Sequence, residues 1–228
     1  MKTKKTVFAL ALLMAVMLMT ACGSEKTSGT TASVNSNPTS SPAVSSKDTS
    51  SKGGNEASAS EFEYKIENGG VTLTKYTGKE STLVLPSQIE GKDVKKLGFS
   101  FLRSDEEKAV TSVVMSDTIT ELNAELFSGN PTIKSITFSK GLKEIPKKVC
   151  QDTPALENIV LPDGLEVIEH AAFNNCDALK SVVVPDSVKE CSVNSFFACD
   201  LLETITYKGK TYGKKEFDSF YSAVRSQQ

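Results

Sequence analysis

Five cysteines and a single histidine are the residues of this 228-residue chain best suited to chemistry, and their spacing restricts it. Cys22 stands alone near the start, while Cys150, Cys176, Cys191 and Cys199 lie further along with no Cys-x-x-Cys pair among them. A zinc or dithiol redox site needs that spacing. With His170 as the sole imidazole, HExxH and Cys2His2 sites are excluded. Catalysis at His170 would need Ser and Asp partners that its surroundings do not repeat. The acidic run Asp105-Glu106-Glu107 lacks the alternating oxygen ligands and the glycine of a calcium loop. No GxGxxG or P-loop pattern occurs. The expectation is a protein with no catalytic residue, no metal and no cofactor.

Charge narrows the partners. The chain has 26 Lys plus Arg against 28 Asp plus Glu, no Trp and only 7% aromatic residues. From Glu61 onward the balance is 20 basic to 25 acidic, a net of -5. An acidic surface of this kind is not built for nucleic acid.

The elements that must position these residues fall into three segments. In residues 1–21, Lys2, Lys4 and Lys5 precede an uncharged run from Val7 to Met19. That run fits the hydrophobic stretch of a secretory signal and is short for a spanning helix, which takes about 20 residues. It ends Leu18-Met19-Thr20-Ala21-Cys22-Gly23, which resembles the lipobox of bacterial lipoproteins. The resemblance implies a diacylglycerol thioether on Cys22, a membrane attachment there and a mature chain that starts at that residue. Residues 22–60 are expected to be a flexible tether. Seventeen of positions 23–60 are Ser or Thr, too polar to offset the entropy of ordering. Residues 61–228 carry the domain.

A 23-residue period runs through that domain. Leu156, Ile159, Leu161, Pro162, Leu165, Ile168, Phe173, Cys176 and Leu179 recur, 23 positions later, as Leu179, Val182, Val184, Pro185, Val188, Cys191, Phe196, Cys199 and Leu202. Two earlier copies pass through Ile133, Ile136, Phe138, Leu142, Ile145 and Cys150, and through Val110, Val113, Met115, Ile119, Leu122 and Phe127. A looser copy includes Leu83, Leu85, Pro86, Val94 and Leu97, lengthened by an insertion over Gln88–Asp93. One such coil cannot bury its own apolar edge, whereas stacked coils share a continuous core. The short alternating pieces Ile159-Val160-Leu161 and Val182-Val183-Val184 read as strands that stack in parallel.

The pattern Leu-Pro-x-x-Leu-x-x-Ile-x-x-x-Ala-Phe-x-x-Cys-x-x-Leu, from Leu161 to Leu179, resembles the BspA-type (Treponema-like) leucine-rich repeat of bacterial surface proteins. The resemblance covers about Leu83–Tyr207 and implies an α/β repeat solenoid with short parallel strands on one face. It also implies an adhesion or binding role at the cell surface. A solenoid needs capped ends. Phe62-x-Tyr64-x-Ile66, Asn68-Gly69-Gly70 and Val71-x-Leu73 predict an N-terminal hairpin cap within 61–80. The repeats then occupy 81–207. Phe217, Phe220, Tyr221 and Val224 recur at i, i+3, i+4 and i+7, predicting a helical cap within 208–228.

Within the stack, Cys176 and Cys199 share one repeat position, where a small donor can bond loop backbone or the two thiols, one coil apart, can form a disulfide, and Cys150 and Cys191 replace core residues. The exposed strand positions form two stripes. Val114, Thr137, Val160, Val183 and Thr206 make one, and Ser112, Ser135, Asn158, Ser181 and Thr204 the other. They are the expected site, a shallow uncharged concave patch for a protein or polysaccharide. The whole reads as a monomeric, lipid-anchored surface binding module of the cell envelope, outside the cytoplasmic membrane. The alternatives are a solute-binding or envelope-structural lipoprotein, or an envelope enzyme.

Overall fold

A computed structural model describes residues 56–99, 101–102 and 110–226. The chain enters through β1 (Phe62–Glu67) and β2 (Gly70–Tyr76), an antiparallel hairpin. Its turn places Asn68 and Gly69 at φ 51° and 77°, the left-handed pair that an Asn-Gly turn supplies at little cost. Next come β3 (Thr82–Val84), β4 (Gln88–Ile89) and β5 (Lys92–Leu97). The expected insertion over 88–93 is itself a hairpin, β4 against β5, turned by Glu90 and Gly91 at φ 52° and 70°.

From there each coil contributes a longer strand and a two-residue strand. The longer ones are β6 (Ser112–Val114), β8 (Ser135–Thr137), β10 (Asn158–Val160), β12 (Ser181–Val184) and β14 (Thr204–Tyr207). The shorter ones are β7 (Glu121–Leu122), β9 (Glu144–Ile145), β11 (Val167–Ile168) and β13 (Glu190–Cys191). The chain closes with β15 (Lys210–Gly213) and α1 (Phe217–Arg225).

The stack is parallel and its register is the sequence period: Ser112 faces Ser135, Ser135 faces Asn158, and Ser181 faces Thr204. One sheet runs β10-β8-β6-β3, and β12-β14-β15 continues the same face as a separate sheet. On the other side β9-β11-β13 form a ladder, and β7 pairs with β5. One of the bonds absent between β7 and β9 has a covalent cause. In later coils the amides of Glu169 and Ser192 reach back to Ile145 O and Ile168 O, each at 3.0 Å. Their counterpart is Pro146, which has no N–H to give.

Alternation within each strand decides what is buried. Val113, Ile136, Val182 and Ile205 point inward and are buried, while their neighbours on both sides face out. Phe173 lies stacked on Phe196 at 5.4 Å and edge-on to Phe138 at 6.0 Å, so one aromatic column passes through three coils. Both caps exist. Phe62 packs on Tyr76 and Phe101 at the first end. At the last end β15 pairs antiparallel with β14, and α1 lays Phe220, Tyr221 and Val224 over the final coil. The helix was legible; β15 was not expected.

Candidate binding face

The two predicted stripes lie on one surface. Ser112 and Val114, Ser135 and Thr137, Asn158 and Val160, Ser181 and Val183, and Thr204 and Thr206 all face outward from successive strands. A strand's side chains alternate faces, so a 23-residue register brings these ten residues into two rows without further specification. Ser135 Oγ donates to Ser112 Oγ at 2.9 Å across neighbouring coils, and Thr206 pairs with Thr211 at 3.0 Å. None of the ten is charged.

Sequence reasoning missed the margin of this face. The residue before β8, β10, β12 and β14 is Lys134, Glu157, Lys180 and Glu203 in turn, all exposed and alternating in sign from coil to coil. The signal was available, since these residues recur at the same 23-residue interval.

The thiols serve the backbone. Cys176 Sγ donates to Cys150 O and Cys199 Sγ to Phe173 O, both at 3.1 Å, while Thr153 Oγ1 gives the same bond to Phe127 O at 3.1 Å. The repeat position therefore asks for a small donor, and Cys and Thr both qualify. Cys150 and Cys191 fill core positions. Burial pushes Cys191 up to about 12, against a weaker pull from Ser195, and burial alone raises Cys150. Cys176 is raised by its bond to the Cys199 thiol and by burial. Thiols held protonated in this way are poor nucleophiles.

His170 is exposed on an outer turn, where its carbonyl accepts the Lys148 amide at 3.0 Å. Beside it Glu166 is flanked by Lys189 at 2.8 Å and Lys143 at 3.6 Å, and its carboxyl is lowered mainly by the Lys189 bond. These surface pairs tie three coils together but add little each. Among the described residues no group of His, Cys, Asp or Glu is placed to hold a metal. Asp105, Glu106 and Glu107, like Cys22 and the signal segment, lie outside the described residues.

A BspA type leucine rich repeat region matches residues 105–223 in six copies. The chain belongs to this family. Among solved structures, a T. pallidum leucine rich repeat protein is 29% identical, over 66% of this chain and 70% of its own, with a TM-score of 0.59. A leucine-rich repeat protein of Bacteroides ovatus shares the fold at 24% identity, over 64% of this chain and 39% of its own, with a TM-score of 0.55. No curated protein matches the chain. BspA-type repeats thus account for the period, the parallel register and the Cys/Thr position.

Proposed function

We propose that this BspA-type protein is a lipid-anchored module displayed outside the cytoplasmic membrane, binding a macromolecule through its strand face. The observation that carries this reading is the uniform outward surface of five successive coils, neutral at its floor and charged at its margin. A solenoid's strength is such extended repeated surface, which suits it to binding. The basic start, the uncharged run and Ala21-Cys22 support the anchor, and the Ser/Thr-rich stretch supports a tether that holds the domain clear of the membrane.

Two measurements test this. Cys22→Ser should move the full chain out of the detergent phase in phase separation, and unchanged partition would remove the anchor. For the face, peptide-display and glycan-array binders of the full chain are titrated against Ser135→Lys and against His170→Glu. Loss with the first and none with the second is expected. The reverse pattern would move the site to the outer turns.

A further inference from the structure

One rung of the strand face is open. The residue before each strand normally sends its amide to the preceding coil: Lys134 to Thr111 O at 2.8 Å, Glu157 to Lys134 O at 2.8 Å and Glu203 to Lys180 O at 3.0 Å. The residue after each strand sends its amide to the following coil: Leu85 to Val114 O at 2.9 Å, Met115 to Thr137 O and Phe138 to Val160 O, each at 3.0 Å. Lys180 and Leu161 hold these same two positions where β10 meets β12. Neither amide finds an acceptor among the described residues, and the two strands are not paired. The coils around them remain closed. β11 pairs with β13, and Phe173 and Asn175 donate to Ser195 O and Phe197 O at 2.8 and 2.9 Å. The opening is therefore a local slit and not a break in the stack.

The slit has a definite chemistry. Leu161 is only 7% exposed as a residue and its amide has no acceptor among the described residues, a state folded proteins rarely leave unfilled. Val160 and Val183 form the lips at 56% and 69% exposure, whereas Val114, Thr137 and Thr206 are half-buried. Ile159 is partly uncovered, while its counterparts in the other coils are buried. The site thus offers one sunken N–H between two aliphatic walls. At the margin the alternation of Lys134, Glu157, Lys180 and Glu203 disfavours a polyanion or a polycation, either of which would meet two like charges. A polypeptide can carry both signs.

We propose that the slit between β10 and β12 is the centre of the binding face, seating a main-chain carbonyl and an adjacent aliphatic side chain of an extended segment of a partner polypeptide. This rests on the strand-face reading above. The carbonyl takes the Leu161 N–H, the side chain covers Val160 and Val183, and flanking charges of the partner meet the alternating margin.

The test uses short peptides selected by display on the full chain. Val160→Cys combined with Val183→Cys sets two thiols opposite each other one coil apart, and oxidation draws the lips to ordinary strand spacing, ~4.8 Å, within the Cα range a disulfide accepts. The oxidised variant should bind the selected peptides about tenfold or more weakly than its reduced form. In the wild type, the Leu161 amide should exchange quickly when free and slowly with peptide bound. Equal binding by oxidised and reduced forms, with binding still lost in Ser135→Lys, overturns the slit and leaves the face. Binding that survives both changes overturns the two together. Ligands found only on a glycan array would overturn the polypeptide assignment.

Discussion

Gly141 and Gly164 occupy one repeat position, yet their surroundings differ. A Cβ at Gly141 would lie 2.8 Å from Asp117 O and 2.9 Å from Ile119 O, backbone atoms of the preceding coil that cannot yield alone. At Gly164 the nearest atom is Lys143 Nζ at 3.3 Å, the far end of a flexible side chain that can shift. Gly141→Ala should therefore cost about 1–3 kcal/mol by forcing two coils apart. Gly164→Ala should stay within about 1 kcal/mol of wild type and can gain from a stiffer unfolded chain. Urea midpoints measured at equal slope separate the two, and equal losses would mean that coil contact is not the cause. The thiols offer a second test at this scale. Cys150, Cys176 and Cys191 are buried with their thiols pushed up, and a protonated buried thiol does not attack a disulfide reagent. In the folded chain at mildly alkaline pH these three should be silent, then titrate together on unfolding. Fast native reaction of any one would show that its coil opens.

The elements that were legible were those whose signal lies in side-chain type. Asn68-Gly69 marked the first hairpin, and the i, i+3, i+4, i+7 pattern from Phe217 to Val224 marked α1. The hairpins β4–β5 and β14–β15 passed unnoticed because Glu90 and Lys208 hold the left-handed positions, at φ 52° and 49°, where Asn or Gly is the recognisable choice. Two-residue strands such as β9 and β11 are too short to display a period. The candidate face was readable from the 23-residue alternation. The open rung was not, because Leu161 and Lys180 match their counterparts in type and differ only in amide partners. The outer turns reuse one conformation: Gly129, Asp152, Asn175 and Ala198 stand at the same repeat position with φ between 56° and 72°. Alanine there carries the full cost of a left-handed residue, roughly 1–2 kcal/mol. Asn175 Nδ2 already donates to Asp152 Oδ1 at 2.8 Å across this ladder. Ala198→Asn should relieve the strain and raise stability by about 0.5–1 kcal/mol. A melting temperature unchanged or lowered would argue against a strained outer turn.

In a stack where each coil leans on its neighbours, the ends govern how the whole comes apart. The last end is an aromatic seal. Phe220 packs against Tyr207 and Tyr212 at 5.9 and 5.8 Å and against Tyr221 at 4.9 Å. Tyr221 is buried over the final coil, and the nearby Phe196 amide only partly opposes the upward push of burial on its phenol. Burial raises both Tyr221 and Tyr207 above the ordinary 10.0, and holds Cys191 beneath them at about 12 against 9.0. In the folded state these groups keep their protons, while the unfolded chain gives them up around the ordinary values of 9.0 and 10.0. The unfolded state then binds fewer protons, so stability falls as pH rises past 9 for the thiol and past 10 for the phenols. The C-terminal coils, β12 through α1, should accordingly lose amide protection first above pH 10, ahead of the coil around β6, which holds neither Cys nor Tyr. Tyr221→Phe separates the two contributions of that side chain. Phenylalanine cannot ionise, so the alkaline loss should be shallower. At neutral pH the variant should be within about 1 kcal/mol of wild type, because the apolar ring that seals the coil is kept. Hydrogen exchange followed segment by segment at neutral and alkaline pH reads both effects. Uniform loss of protection along the stack, or an alkaline profile in Tyr221→Phe identical to wild type, would show that the aromatic seal is not the weak point.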